Sequence, residues 1–293
     1  MVIFIKKWVK IVLKLIQQLG LERAAYYISR NRVLSNFLIT HYWESNKSLL
    51  DYYKLYSQYL KLAGKAKINL ENSKILEIGS GSSFGAAIFF TRHNIDSWVS
   101  IDKYNEINSA SEITKANEFL RKYPAKKYKR FFIYNKEKII NFTNNLLFLK
   151  KDILNINLPK NHFDVVFSNV VLEHIEKEDV ETVIKNIKRG LKSGGKCISV
   201  IDLGDHFNVL NPFNFYKYSE KEWHNLTSNT IMYTNRLRAV DFIELFEKNG
   251  FKLVVSDFKR QKLGKKVKLS ADFNKYTRKD LETCLVKLVF KNN

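Results

Sequence analysis

The stretch Lys74-Ile-Leu-Glu-Ile-Gly-Ser-Gly-Ser-Ser-Phe-Gly85 constrains this chain more than any other. A short apolar run ends in an acid, two glycines follow one residue apart, and an apolar segment from Ala86 to Phe90 comes next. The pattern predicts a strand, a tight turn and a helix whose unpaired N–H groups point back over the strand's end. Without a Cβ at Gly79 and Gly81 a ligand can approach the backbone itself. The turn does not fit the dinucleotide fingerprint, because its third glycine falls one residue late, at Gly85. Nor is it a phosphate loop, since no Gly-Lys-Ser/Thr follows. Glu77, two residues before the first glycine, disfavours a pyrophosphate and suits a cationic ligand.

Further strands follow in register with this reading. Ser97–Asp102 is a strand ending in an acid 25 residues after Glu77, a spacing that suits a carboxylate accepting both hydroxyls of a ribose. Leu146–Asp152 is a third strand, again with a terminal acid, and Phe163–Ser168 is a fourth, followed by Asn169-Val-Val-Leu-Glu-His174. Val180, Val183, Ile184, Ile187 and Leu191 recur at helical spacing over Asp179–Leu191. Leu191-Lys-Ser-Gly-Gly195 breaks that helix, and Lys196–Ile201 is a fifth strand. Phe251–Asp257 and Leu281–Phe290 read as the sixth and seventh, with an amphipathic helix over Ala239–Lys248 before them.

These segments resemble the class I S-adenosylmethionine-dependent methyltransferases, and among them the type 11-like members similar to those of bacterial polysaccharide and glycan biosynthesis. The family's first motif reads acid-x-Gly-x-Gly-x-Gly. Glu77, Gly79 and Gly81 match it, and Ser83 departs from it. Leu-Lys-Ser-Gly-Gly resembles the family's Leu-Lys-Pro-Gly-Gly, and Leu146–Asp152 resembles its adenine-side motif. The resemblance implies an α/β, Rossmann-like, seven-stranded and mostly parallel sheet with helices on both faces. It implies S-adenosylmethionine as cofactor, held by Glu77, Gly79, Gly81, Asp102, Asp152, Ile153 and Asn169, with Glu77 facing the methionine amino group. Residues 71–293 are expected to form this domain, and residues 1–70 an N-terminal helical extension.

Composition sets the remaining bounds. Hydrophobic residues make up 45%, enough for a packed core, and 3 prolines and 11 glycines leave little room for low-complexity linkers. The two cysteines, Cys197 and Cys284, fall in expected strands and read as buried reduced thiols in a cytoplasmic protein. With scattered histidines they do not suit a structural zinc site, and no metal is expected. Fifty Lys+Arg against 29 Asp+Glu give a formal charge of +21, crowded in the N-terminal region, over Arg121–Lys151 and over Lys259–Lys268. Such a field draws anions: a phosphorylated acceptor, a nucleic acid or a lipid surface. Solvated lysine faces are the less favoured alternative.

Residues 1–20 place Lys6, Lys7, Lys10 and Lys14 on one side of a helix and Phe4, Trp8, Val12 and Leu15 on the other. No run there is long enough to span a bilayer. Two readings stay open: an interfacial helix on the anionic inner face of the membrane, or a helix covering the domain or a second subunit. Asn31–Ala63 is helical and rich in aromatics, including Phe37, Tyr42, Trp43, Tyr52, Tyr53, Tyr56 and Tyr59, with packing favoured over a binding platform.

Acceptor recognition is expected in two insertions at the strands' carboxyl ends. Tyr104–Asn145 carries alternating aromatic and basic residues over Tyr123–Tyr134. Asp202–Arg238 carries Asp202-Leu-Gly-Asp-His206, then Tyr218, Trp223, Arg236 and Arg238. Flat aromatic faces suit a saccharide or another polar ring, and guanidinium suits a phosphate or carboxylate. His206 is expected to remove a hydroxyl proton, with Asp205 and Asp202 orienting it and His174 as runner-up. The expected reaction is O-methylation of a saccharide or other small polar acceptor. An RNA methyltransferase and a non-catalytic binding protein of the same fold are the alternatives.

Overall fold

A computed structural model describes residues 49–81, 85–90, 93–103, 146–206, 208, 211–228, 233–264 and 267–293. The basic helix at 1–20, the aromatics before residue 49, Ser83 and the Tyr104–Asn145 insertion lie outside them.

Seven strands form one sheet: β1 (Lys74–Ile78), β2 (Ser97–Asp102), β3 (Leu146–Lys150), β4 (Phe163–Asn169), β5 (Leu191–Asp202), β6 (Phe251–Arg260) and β7 (Thr283–Asn292). Their order is β3-β2-β1-β4-β5-β7-β6. β3 through β5 run parallel, and β7 lies antiparallel between β5 and β6. This is the layout that the resemblance implies. β1 carries four consecutive buried residues, as a parallel strand covered on both faces must. Ile75 belongs to one core cluster and Leu76 and Ile78 to the other.

Helices α1 (Leu49–Lys65) and α2 (Gly85–Phe90) cover one face. α1 buries Tyr52, Tyr56, Tyr59 and Ala63, a stripe at three- and four-residue steps. Tyr59 stacks on Phe167 of β4 with ring centroids 4.2 Å apart. Thus α1 lies before the expected boundary at residue 70, yet its aromatic face is part of the domain's core. α3 (Val180–Gly190) and α5 (Ala239–Lys248) cover the other face through Val183, Ile187, Phe242 and Phe246.

Several boundaries differ from expectation, and two of the differences have a clear local reason. α3 stops at Gly190, and Leu191 already enters β5, so the Lys-Ser-Gly-Gly segment lies within strand rather than before it. β7 begins at Thr283 because a short helix, α6 (Arg278–Glu282), takes the preceding residues. Thr277 and Asp280 cap α6 reciprocally. α4 (Glu220–Thr227) is capped in the same way by Ser219 and Glu222. It belongs to a third, smaller core of Phe213, Phe215, Tyr216, Tyr218, Trp223 and Phe273.

Candidate active site

The sheet's carboxyl edge gathers most of the expected site residues. At the end of β1, Gly79 and Gly81 both have positive φ, 73° and 70°. Their reasons differ. A Cβ on Gly79 would lie 2.1 Å from Val171 Cγ2, so this glycine makes room for the turn after β4. Among the described residues nothing lies within 4 Å of a Cβ built on Gly81, which leaves its backbone approachable by a ligand on their side. Asp102, at the end of β2 and 8% exposed, accepts a hydrogen bond from Gly81 N–H at 2.9 Å. Its carboxylate thereby ties the two strand ends together.

Asp152 follows β3 and accepts from Leu154 N–H at 3.0 Å, while Lys103 Nζ lies 2.9 Å from its other oxygen. Ile153 is buried, and its carbonyl accepts from Asn186 Nδ2 at 2.9 Å. Asn169 closes β4, and its Oδ1 accepts from Gln58 Nε2 of α1 at 3.3 Å. Gln58, which sequence reasoning missed, carries α1 to the tips of the strands.

Glu77 has one carboxylate oxygen engaged by β2. It is 4% exposed, and its Oε2 accepts from Ser100 Oγ at 2.9 Å and Trp98 Nε1 at 3.2 Å. This oxygen serves the sheet interior beneath α1 and faces β2, not the open turn. The pairing follows from register, since Glu77 lies directly beside Ser100.

The expected catalytic residues lie beyond β4 and β5, which are adjacent strands with Asn169 opposite Val200. After β4, Val170 takes φ 56°, a strained value for a β-branched residue. The turn it makes leads into a 3-10 segment, Leu172–His174. After β5 the chain passes Asp202 and reaches His206. The two histidines that the sequence offers as alternatives therefore meet, with ring centroids 4.8 Å apart. His174 Nδ1 donates to Tyr233 O at 2.8 Å, because a carbonyl can only accept, and its Nε2 is left with the lone pair. His206 Nε2 lies 3.7 Å from Asp202 Oδ2 and has no hydrogen-bond partner. Glu173, 1% exposed, accepts from Asp202 N–H at 2.9 Å through Oε1, and its Oε2 has no partner.

Burial dominates the electrostatics of this cluster. It lowers the pKa of each histidine to about 4, that of His174 further depressed by His206 beside it. It raises those of Glu173 and Asp202. Both imidazoles are consequently neutral near pH 7. Asp205, expected to orient His206, is engaged by the loop that follows. Its oxygens accept from Asn208 N–H at 3.0 Å and Asn214 Nδ2 at 3.3 Å, pinning the loop. Asp202 is the carboxylate beside the His206 ring.

The four expected acceptor contacts are turned inward. Tyr218 and Trp223 belong to the third core, and Trp223 Nε1 donates to Thr234 O at 2.7 Å. Arg236 donates to Tyr218 O at 2.6 Å and to Glu220 Oε2 at 2.9 Å, and packs over Phe273. Arg238 is fully buried and donates to the carbonyls of Leu203, Asp280 and Thr283. These guanidiniums replace missing backbone partners between loops, and no open anion site forms on them.

Among known proteins, residues 76–199 match a family model described as a methyltransferase domain. No curated protein matches the chain. Among solved structures, an S-adenosylmethionine dependent methyltransferase from Mesorhizobium loti is 11% identical, with 79% of this chain and 96% of that one covered at a TM-score of 0.47. A SAM-dependent methyltransferase from Methanosarcina mazei is 15% identical, with 76% and 93% covered at 0.44. The N-methyltransferase NodS from Bradyrhizobium japonicum WM9, in complex with S-adenosyl-L-homocysteine, is 16% identical, with 85% and 91% covered at 0.43.

Residues 76–199 thus match a methyltransferase-domain model, and the chain carries the strand order β3-β2-β1-β4-β5-β7-β6 that the sequence resemblance implies. The residues present fit the expected cofactor, S-adenosylmethionine. Among the described residues nothing crowds Gly81 at the turn, and a carboxylate stands at the tip of β2 beside it.

Proposed function

We propose that this enzyme transfers a methyl group from S-adenosylmethionine to a hydroxyl of a small polar acceptor, a saccharide being the preferred class. The observation that supports the reading most is the meeting of His174 and His206, with Glu173 and Asp202, at the ends of β4 and β5. Cofactor and acceptor then share one edge of the sheet. A hydroxyl nucleophile must lose a proton during transfer, and an amine delivered neutral need not. The unpartnered nitrogen of a buried neutral imidazole is placed to accept that proton, with a basicity that burial lowers.

The cofactor supplies an electrophilic methyl on sulfur when bound. Asp102 is proposed to hold its ribose, with the Gly81 turn carrying the amino-acid end and Asp152, Ile153 and Asn169 lining the adenine side. His206 Nε2 takes the acceptor proton while Asp202 stabilises the imidazolium that forms. His174 is fixed by the Tyr233 carbonyl and holds the neighbouring ring in place. Alignment alone can contribute about 7–11 kcal/mol, and a positioned base on the order of 10²–10⁴-fold.

The experiment is direct. Purified protein is incubated with methyl-labelled donor and fractionated bacterial extract, and label is followed into saccharide, lipid, RNA and protein. The reading expects label in a saccharide or small-molecule fraction. It expects His206→Ala to lose turnover about 100-fold or more while donor affinity is kept. Label in RNA alone would replace this reading with the nucleic-acid one.

A further inference from the structure

Three donor side chains in the acceptor cluster are arranged for more than a proton. Glu173, His174 and His206 each offer one ligating atom, and these atoms all lie within 4.8 Å of one another. Two of the three side chains carry a buried polar atom with no partner, Glu173 Oε2 and His206 Nε2. A buried carboxylate oxygen left without a donor costs stability unless something positive meets it. The remaining atoms are already braced. His174 Nδ1 is tied to Tyr233 O, and Glu173 Oε1 to Asp202 N–H. A carbonyl on one imidazole nitrogen and an amide on one carboxylate oxygen are the outer contacts that orient metal ligands.

We infer that Glu173, His174 and His206 form a binding site for one divalent transition-metal cation. Two imidazole nitrogens and one carboxylate oxygen suit Zn²⁺, Mn²⁺ or Co²⁺ better than Mg²⁺ or Ca²⁺, which prefer oxygen alone. Ligand bonds of about 2.0–2.2 Å put neighbouring donors about 3–3.5 Å apart. Small side-chain rotations toward a common centre therefore close the shell. Three protein ligands leave at least one coordination position for the acceptor oxygen.

What the cation does rests on the methyl-transfer reading above; that it binds does not. With the cation in place His206 is a ligand and not the base. A cation held there would polarise the acceptor hydroxyl, whose proton would leave to water as the O–CH₃ bond forms and the S–CH₃ bond breaks. The step is redox-neutral and needs no further reactant. Sequence reasoning missed the site because Glu173 and His174 precede His206 by more than 30 residues. Only the pairing of β4 with β5 brings them together.

The test uses the full chain, stripped with a chelator and titrated with Co²⁺ alone. One equivalent is expected, with a visible absorption band from nitrogen–oxygen ligation. The band is lost in both His206→Ala and His174→Ala, whose thermal unfolding with metal absent reports whether they fold. Zn²⁺ or Mn²⁺ is then expected to restore methyl transfer at least tenfold over chelated enzyme. No stoichiometric Co²⁺ uptake, or uptake unchanged in two folded variants, overturns the site. Full methyl transfer in excess chelator overturns its role and leaves the methyltransferase reading standing. Absence of donor binding and of any label transfer would instead remove that reading and leave the Co²⁺ titration as the judge of the site.

Discussion

Arg238 is buried, and its donors are spent on the carbonyls of Leu203, Asp280 and Thr283. Truncation strands several buried acceptors at once. Arg238→Ala should therefore cost on the order of 4 kcal/mol in urea unfolding. A mutant of wild-type stability with a raised acceptor KM would instead return Arg238 to the acceptor site. Tyr59 makes the opposite case. Its hydroxyl is buried without a partner above Phe167. Tyr59→Phe should be neutral or stabilising by up to about 1 kcal/mol, because it removes an unpaired polar group and keeps the ring. Tyr59→Ala should cost about 3–5 kcal/mol. Burial likewise pushes the Cys197 thiol up to about 12 and raises that of Cys284. Neither should react with a thiol reagent at pH 8 until denaturant is added, when both do. A fast-reacting thiol in the folded protein would contradict the packing described for β5 or β7.

At the scale of elements, the strands were legible because burial on both faces writes long apolar runs into β1 and β4. The helices of the parallel half were legible from their apolar spacing. The short capped helices α4 and α6 were not read, although Ser219-x-x-Glu222 and Thr277-x-x-Asp280 are capping signals. Their apolar residues look like loop aromatics until a third core collects them. The same blindness misread Tyr218, Trp223, Arg236 and Arg238 as acceptor contacts. Sequence reveals that aromatics and guanidiniums are present; only packing reveals which way they turn. That Gly81 and Asp102 come together was legible, because strand order puts the ends of β1 and β2 side by side. The contact of Glu77 with Ser100 was not, because it depends on register. Ser219→Ala should cost about 1 kcal/mol and alter Trp223 fluorescence, since the capping box holds the helix that carries this ring. Unchanged emission and stability would show that the third core holds α4 without its cap.

For the whole molecule, three groups of side chains share one edge of one sheet: carboxylates at β2 and β3, the Gly81 turn at β1, and the histidine pair beyond β4 and β5. The chain's formal charge of +21 favours an anionic acceptor in general. It does not choose between a phosphorylated saccharide and a nucleic acid, and no described helix is long and apolar enough to cross a membrane. Steep weakening of acceptor binding with salt is expected in either case, and a flat salt profile would remove the charge from the account. The position of the cofactor is the premise that every later assignment uses. Calorimetry with S-adenosylmethionine on wild-type protein and Asp102→Ala tests it most directly. The account predicts one site per chain and at least tenfold weaker binding in a folded Asp102→Ala variant. Equal affinity in the two proteins, or no heat from either, would contradict it.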